Sequence, residues 1–367
     1  MHILVINSGS SSVKYGVYEM SGEQVSEHDV VDLGERESER EAAIRRILET
    51  VKTQHRIDAV GHRVVHGGDA FRQPTRVDSD VLAKIESLHH LAPLHNPAGS
   101  LGIRIALESA PELPQVAVFD TAFSATLPES TWRYALPKAL ADRHHIRRYG
   151  FHGISHQYVS ATAARQFGRA SERLRLISLH LGNGASAAAV LGGHCVETSM
   201  GLTPQEGLVM GTRAGDLDPS IPIFLQQQTG MSANELERLL NRESGLHGLC
   251  GESDMRNIRR RASQGDAEAR LAIDIFAHRI RKYIGAYTAV LGGLDGLVFT
   301  GGIGEHDADL RAEVCVGLAC LGIRIDAQRN VAHATVISPE GEPLRVMVVP
   351  TNEELAIARE TLRCLTG

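Results

Sequence analysis

Short apolar runs alternate with amphipathic, charge-studded stretches along the chain, and that alternation predicts an α/β protein. Ile3–Ile6 reads as a buried strand and Val13–Tyr18 as a second strand that follows at once. Between them lies a turn crowded with small hydroxyl and amide groups: Asn7, Ser8, Gly9, Ser10, Ser11 and Ser12. Leu174–Leu181 repeats the arrangement, with the turn Gly182-Asn183-Gly184-Ala185-Ser186, a return strand from Ala187 to Val190, and Gly192-Gly193 as the next hairpin turn. A third run, Asp295–Thr300, leads into the Gly-rich turn Gly301-Gly302-Ile303-Gly304-Glu305-His306, with a helix predicted over Asp309–Leu321.

Other elements fill the space between these landmarks. The charge-rich stretch from about Gly22 to Lys52 predicts a surface helix beginning within Glu35–Arg46. Ile57–Val65 predicts a strand ending at His66-Gly67-Gly68, and Val116–Phe119 a strand ending at Asp120. Helices are predicted over Val81–Leu91, Gly99–Ser109 and Ser155–Phe167, the last opened by the loop Arg147–Gly153. A loop-rich segment, Thr198–Pro219, precedes a helical region from about Ile221 to Leu291. Arg345–Val349 is a final strand, and Thr351 with Glu354 has capping-box spacing for a C-terminal helix. The paired hairpins predict a duplicated α/β unit facing a shared cleft. The expected domains are residues 1–149 joined by 351–367, and residues 150–350.

Composition narrows the function classes. The chain has 367 residues, enough for two domains of about 150–200 residues each. Its net charge of −6 and its 4% aromatic content argue against a nucleic-acid surface. An anionic substrate therefore needs locally placed Arg, His or a metal ion. The apolar runs fall short of a membrane span, and no basic-plus-apolar leader precedes the first strand. The five cysteines are irregularly spaced without a CxxC pair, as expected of reduced thiols in a cytoplasmic protein.

The turns carry the candidate chemistry. Gly9 permits close backbone approach, the serines and backbone N–H groups donate, and Lys14 adds a point charge, a set suited to a phosphate. An ordinary polar hairpin is the alternative reading. The strand, Gly-rich turn and helix N-terminus near Gly301 form a second type of anion site. No Gly-x-x-x-x-Gly-Lys-Ser/Thr sequence is present, and the GGIG segment is not a dinucleotide fingerprint. Arg63, His66, His95, Asp120, His152, His180 and Arg213 all fall at strand ends or in loops, where open α/β sheets place their sites. Taken singly, each has a bland alternative: a core histidine, a salt-bridge arginine, a capping aspartate. Glu353 is either a helix-dipole partner or a magnesium-shell acid. Gly211–Asp216 presents Arg213 from a loop, as phosphoryl transfer often requires.

The segments NSGSSSVKY, GHRVVHGG, LAPLHNP, FDTAF, RRYGFHGISH, HLGNGAS, SMGLTPQEGLVMGTRAGDLDP, ESDMR, FTGGIGEH and PTNEELAIA occur in order across nearly the whole chain. In this the chain resembles the acetate/propionate/butyrate kinase family. The resemblance implies a duplicated ribonuclease H-like fold, shared with sugar kinases and actin, with two domains around a central cleft. It also implies reversible, ATP-dependent phosphorylation of a small carboxylate to an acyl phosphate, with acetate as the leading acceptor.

By resemblance, Asn7 and Glu353 would hold Mg²⁺, with Mn²⁺ as an alternative ion. Arg63 would bind the substrate carboxylate, while Asp120, His152 and Arg213 would be catalytic. Val65, Leu94, His95, Phe151 and Pro204 would surround the acyl group. Lys14, His180, Leu181, Gly182, Asn183, Gly184, Asp254, Met255, Arg256, Gly302, Ile303, Gly304, Glu305 and His306 would meet ATP or ADP. The family's homodimer is expected too, with neither nucleic acid nor membrane as a partner.

A carboxylate acceptor, with a pKa near 4.3, is already ionised at neutral pH, so no strong general base is needed. The chemical difficulty is anion meeting anion, which Arg63, Arg213, His152 and Mg²⁺ would relieve. Asp120 is read chiefly as an orienter, with covalent phosphate capture as the alternative. Branched Val65 leans toward acetate over propionate or butyrate. Four residues depart from the family pattern: Gly99, Ser124, Ile154 and His306. The stretch between Lys14 and Gly61 is also shorter than is usual. A non-catalytic ATP-binding switch is the competing class, against which the retained Arg63, Asp120, His152 and Arg213 argue.

Overall fold

The computed structural model describes residues 1–9, 12–32, 37–93, 95–168 and 171–367. Ser10, Ser11 and Leu94 lie outside the described residues. Backbone contacts divide the chain into two units. Unit 1 comprises Met1–Ala125, Phe151–Tyr158 and Asn352–Gly367; unit 2 comprises Thr126–Gly150 and Val159–Thr351.

Unit 1 holds a sheet of six strands: β1 (His2–Ser8), β2 (Ser12–Glu19), β3 (Gln24–Asp32), β4 (Ala59–Val64), β5 (Thr75–Arg76) and β6 (Gln115–Phe119). Their spatial order is β3-β2-β1-β4-β6-β5. Strands β1, β2 and β3 form an antiparallel meander, and β1, β4 and β6 run parallel. The apolar residues of β1 alternate between two cores, as the period of two requires. Leu4 and Ile6 pack with Ile44, Leu48, Leu101 and Ile105 from the helices Glu37–Gln54 and Asn96–Ser109. Ile3 and Val5 pack with Leu355, Ile357 and Ala358 from the C-terminal helix, Glu353–Thr366. Burying both faces makes the parallel strands continuous apolar runs.

Unit 2 repeats the plan with β7 (Arg175–Leu181), β8 (Ala185–Leu191), β9 (His194–Thr198), β10 (Gly296–Thr300) and β11 (Arg345–Val348), in the order β11-β10-β7-β8-β9. Leaving aside two-residue β5, both sheets read third, second, first, fourth, fifth when counted within their own unit. In both, the first three strands are antiparallel and the last two parallel to the first. That is the ribonuclease H-like order, present twice. Gly192 and Gly193, at φ 58° and 85°, turn the β8–β9 hairpin as expected. The helix Ala267–Leu291, capped by Asp266 and ended by Gly292 at φ 66°, buries Ile273, Phe276, Ile280, Ile284 and Tyr287 at helical spacing.

Four expectations need correction. The stretch after Gly22 contains β3 as well as a helix. β3 is an edge strand with an almost wholly exposed sequence, QVSEHDVVD, so no hydrophobic alternation announces it. The Gly-rich segment after β10 is itself a short helix, Gly301–His306, followed by the helix Ala308–Cys315 capped by Asp307. The helix after the LHNP loop starts at Asn96 rather than Gly99, with Pro97 in its first turn. The C-terminal helix is capped by Asn352, whose side chain accepts from Leu355 N (2.9 Å), one residue later than the Thr351–Glu354 box. All five cysteines are thiols, with Cys195, Cys250 and Cys315 buried. Among the described residues no helix is long and apolar enough to cross a membrane.

Candidate active site

In unit 1 the parallel strand ends collect the polar residues. Asn7 shares the face of Ile3 and Val5, so it points to the first turn of the C-terminal helix. There its Nδ2 donates to Glu354 Oε1 (3.2 Å). Lys14 is its cross-strand partner on β2. Arg63, on β4, grips Asp120, which follows β6, with two donors: Nε to Oδ1 (3.2 Å) and Nη2 to Oδ2 (2.6 Å). A third donor, Nη1, reaches Asn7 Oδ1 (3.4 Å). Burial opposes the Arg63 charge, but Asp120 and then Glu353 outweigh it and hold the guanidinium pKa above its ordinary value. Asp120 is 1% exposed, and the forked pairing is what makes a buried carboxylate tolerable there.

His152 stands beside this pair through the backbone. Gly153 N donates to the Asp120 carbonyl (3.0 Å), and a Cβ on Gly153 would lie 2.0 Å from that oxygen. Only glycine permits so close an approach. His152 itself adopts φ 55°, a left-handed conformation that few non-glycine residues accept. Phe151 is buried edge-on against His66, with ring centroids 5.4 Å apart. His66 is locked by Asn96, which accepts from its N–H (2.9 Å) and donates to its carbonyl (3.0 Å). Val65 is half-buried beside it, and His95 caps the helix Asn96–Ser109.

In unit 2 the turn after β7 and the loop bearing Arg213 are tied together. His180 and Leu181 end β7, opposite Ser186 and Ala185 of β8. Gly182 N bonds to Gly184 O (3.0 Å), and Gly211 N bonds to Asn183 O (2.9 Å). A Cβ on Gly211 would fall 1.9 Å from Asn183 Oδ1, so any larger residue there would have to push the Asn183 side chain aside. The loop 207–216 is closed on itself: Gly207 N donates to Asp216 Oδ1 (2.8 Å), and Asp216 N to Gly207 O (3.0 Å). Tyr283 fixes Asp216 from outside (2.8 Å). Arg213 donates to the Pro204 carbonyl (2.6 Å). Burial lowers its pKa, and among the described residues no acid offsets that.

A cavity of about 740 Å³ lies in the same unit. Gly182, Asn183, Asp254, Met255, Arg256, Gly302, Ile303 and His306 line it, eight residues named from the sequence. Asp254 caps the helix Met255–Ser263 and pairs with Arg256 (2.6 Å), which holds its carboxyl below the usual range. The Glu305 carboxylate is bonded within the unit. Its Oε1 accepts from Gly301 N (2.9 Å) and Thr351 N (3.1 Å), clasping the start of the short helix to the loop that follows β11.

The chain matches the Acetokinase family over residues 25–359. It is 51% identical to an acetate kinase from Leifsonia xyli subsp. xyli over 393 residues, covering 100% of this chain and 99% of that one. The chain belongs to the acetokinase family. An acetate kinase from Streptomyces avermitilis is also 51% identical, over 98% of this chain and 96% of its own. Among solved structures, Porphyromonas gingivalis acetate kinase superposes with a TM-score of 0.92 at 40% identity, over 100% of both chains. A propionate kinase from Francisella tularensis subsp. tularensis gives 0.92 at 43% identity, over 99% of both.

Within this acetokinase, the fit of a divalent ion is decided by the donor set. Among the described residues no three His, Cys, Asp or Glu side chains gather as a metal cage. The Asn7 amide oxygen and the Glu353 and Glu354 carboxylates at one helix start are hard oxygen donors around a single guanidinium. That sparse oxygen set suits Mg²⁺, which keeps most of its water and takes one or two carboxylates plus phosphate oxygens. Sequence reasoning missed Glu354 on Asn7, Asn96 on His66, and the bracing of the Arg213 loop. Arg148 donates to Glu206 (2.5 Å) and to the carbonyls of Thr198, Ser199 and Met200, and Tyr134 also bonds Glu206. These partners are distant in sequence, so only the side-by-side acids Glu353 and Glu354 carried a local signal.

Proposed function

We propose that this chain is an ATP-dependent acetate kinase, a phosphotransferase with a carboxyl group as acceptor, making acetyl phosphate and ADP reversibly. The forked Arg63–Asp120 pair carries the reading. It supplies a guanidinium rigidly aimed from a strand end, with donor capacity for a second carboxylate, which a mere nucleotide sensor would not need. Arg63 binds the acetate carboxylate. Val65, His95 and Phe151 bound the methyl group, and Asp120 keeps Arg63 in register. His152 and Arg213 take up charge spreading over the transferring phosphoryl group. The 740 Å³ cavity takes the nucleoside, with Gly182–Gly184 and the glycines of the short helix toward its phosphates and His306 toward its base; Glu305 braces that helix. Lys14, His180 and Leu181 belong to the same nucleotide-binding set. Mg²⁺, held by Asn7 and Glu353 with water, would supply further neutralisation of the phosphates. Because acetate is already ionised, no side chain has to take its proton. The same reading makes the working protein a cytoplasmic homodimer, which sedimentation velocity would check.

The test is Mg-ATP-dependent acyl phosphate formation, trapped with hydroxylamine, for acetate, propionate and butyrate. The highest kcat/KM on acetate is expected. A preference for propionate would keep the mechanism and overturn the pocket reading; one methylene is worth about 1–3 kcal/mol in such a pocket. ATP binding without product from any acid would leave a non-catalytic switch.

A further inference from the structure

One buried arginine holds the wall of the nucleotide cavity from behind. Arg311, on the helix Ala308–Cys315, is fully buried. Its donors go to neutral acceptors: Nε to Asn330 Oδ1 (2.8 Å), Nη1 to the carbonyls of Gly304 (2.8 Å) and Glu305 (2.9 Å), and Nη2 to the Asn330 carbonyl (2.9 Å). His333 Nδ1 lies 3.1 Å from Nη2 and 2.9 Å from the Glu305 carbonyl. Among the described residues Arg311 forms no ion pair. Asp307, whose charge acts on it, is bonded instead to Arg259 (2.8 Å). A buried guanidinium without a carboxylate is costly, so its acceptors are informative.

Those acceptors belong to two segments of the cavity wall. Gly304 and Glu305 lie in the short helix that contributes Gly302, Ile303 and His306. Asn330 and His333 flank the end of the helix Ala327–Val331, where Val331 and His333 contribute. Asn330 Nδ2 closes the network on the Ala308 carbonyl (2.8 Å). His333 adopts φ 50°, a left-handed conformation held against its intrinsic preference. Its ring stands 6.4 Å from that of His306 in an edge arrangement.

We propose that Arg311 is a positioning residue for nucleotide binding, tying the Gly304–Glu305 carbonyls to Asn330 and His333 so that His306 and His333 stand as fixed imidazole walls for a purine base. This rests on the reading of the cavity as the ATP site. Hydrogen–deuterium exchange of the wild-type protein with and without MgADP comes first. Protection of the peptide containing residues 302–306 is expected; its absence brings down the cavity reading and this proposal together. With that protection in hand, the variants test Arg311 alone. Lysine cannot reproduce the fork, so Arg311→Lys should raise the KM for MgATP about tenfold to a hundredfold, the loss expected when hydrogen bonds from a charged group disappear. The KM for acetate should stay within about twofold, because no described acceptor-site residue bonds to this network. Guanidinium chloride at low millimolar concentration should restore nucleotide affinity to Arg311→Ala. His333→Gly suits the left-handed backbone and should fold; it should weaken MgATP and narrow the preference for ATP over UTP. An unchanged KM for MgATP in Arg311→Lys and His333→Gly overturns the proposal. So does a parallel rise in both KM values without guanidinium rescue, which would mark Arg311 as purely architectural.

Discussion

Two arginines show how the same residue type is set for different work by its neighbours. Arg63 is held above its ordinary pKa by acids, while half-buried Arg213 donates to a carbonyl and has its pKa lowered by desolvation. An arginine that no carboxylate among the described residues pairs with has its field available for a transferring phosphoryl group. Arg213→Gln should therefore cut kcat by about a thousandfold or more, the scale of arginine fingers, while the Kd for MgADP moves little. Turnover within tenfold of wild type would strip Arg213 of that role. A second residue makes a pH prediction. His62 is buried on β4, and burial pushes its pKa down from 6.5 to about 4, with only its bond to Gln115 working the other way. Gln115 spends its N–H groups on the carbonyls of Leu113 (3.2 Å) and Ala110 (3.5 Å), so its oxygen accepts and His62 donates from Nε2 (2.8 Å). Between about pH 6.5 and 4 the unfolded chain therefore binds the proton and the folded chain does not. Stability falls as pH falls through that window, by up to roughly 3 kcal/mol from this residue. Urea unfolding at pH 7.5 and 4.5 should show a smaller acid loss in His62→Gln than in wild type. Equal losses would mean that the imidazole does not titrate this way.

At the scale of elements, strand β4 and the C-terminal helix meet more closely than side chains allow. A Cβ on Gly61 would lie 2.4 Å from Thr361 Oγ1 and 2.9 Å from Ile357 Cγ2. Gly61→Ala should cost about 1–3 kcal/mol by overpacking. Because the worse clash is with one hydroxyl, Gly61→Ala/Thr361→Ala should be more stable than the two single losses predict when summed. A strictly additive cycle in chemical denaturation would show that the helix simply moves away. Where packing rests on such patterns, the sequence was a sound guide. Both halves of each hairpin, the β4 and β6 strand ends and the loop carrying Arg213 were legible from apolar runs stopped by Gly, Ser and Asp. Strand β3 was not, since an exposed edge has no buried face to write an alternation. The helix Gly301–His306 was not either. Its three glycines read as a turn, and what braces it is side-chain bonding that spacing does not show: the Glu305 clasp, which reaches Thr351 46 positions on, and the Arg311 fork from the next helix. Roles such as Glu354 on Asn7 depend on a contact across 347 positions, which spacing cannot reveal.

For the whole molecule, the duplicated topology separates two kinds of equipment. Unit 1 carries Asn7, Arg63, Asp120, His152 and Glu353, while unit 2 carries the Gly-rich turns, Arg213 and the 740 Å³ cavity. A reaction using both sets has two formal routes. Either acetate attacks the γ-phosphorus directly, or Asp120 captures the phosphoryl group first and passes it on. The geometry disfavours the second. Both Asp120 oxygens are engaged by Arg63, at 3.2 and 2.6 Å, in a site where the acid is 1% exposed. Attack by Asp120 would draw charge from a carboxylate whose two oxygens already accept from Arg63, weakening a pairing that the buried acid depends on. Acetate needs no such preparation, since it arrives ionised. Direct transfer is a single in-line displacement, so ATP made chiral at the γ-phosphorus with oxygen isotopes should give acetyl phosphate of inverted configuration. Retention would require an even number of displacements and would return Asp120 to the role of nucleophile. Asp120→Asn separates the two further. It keeps the side chain's shape but weakens the hold on Arg63, so residual turnover with inversion is expected, whereas a covalent route would leave none.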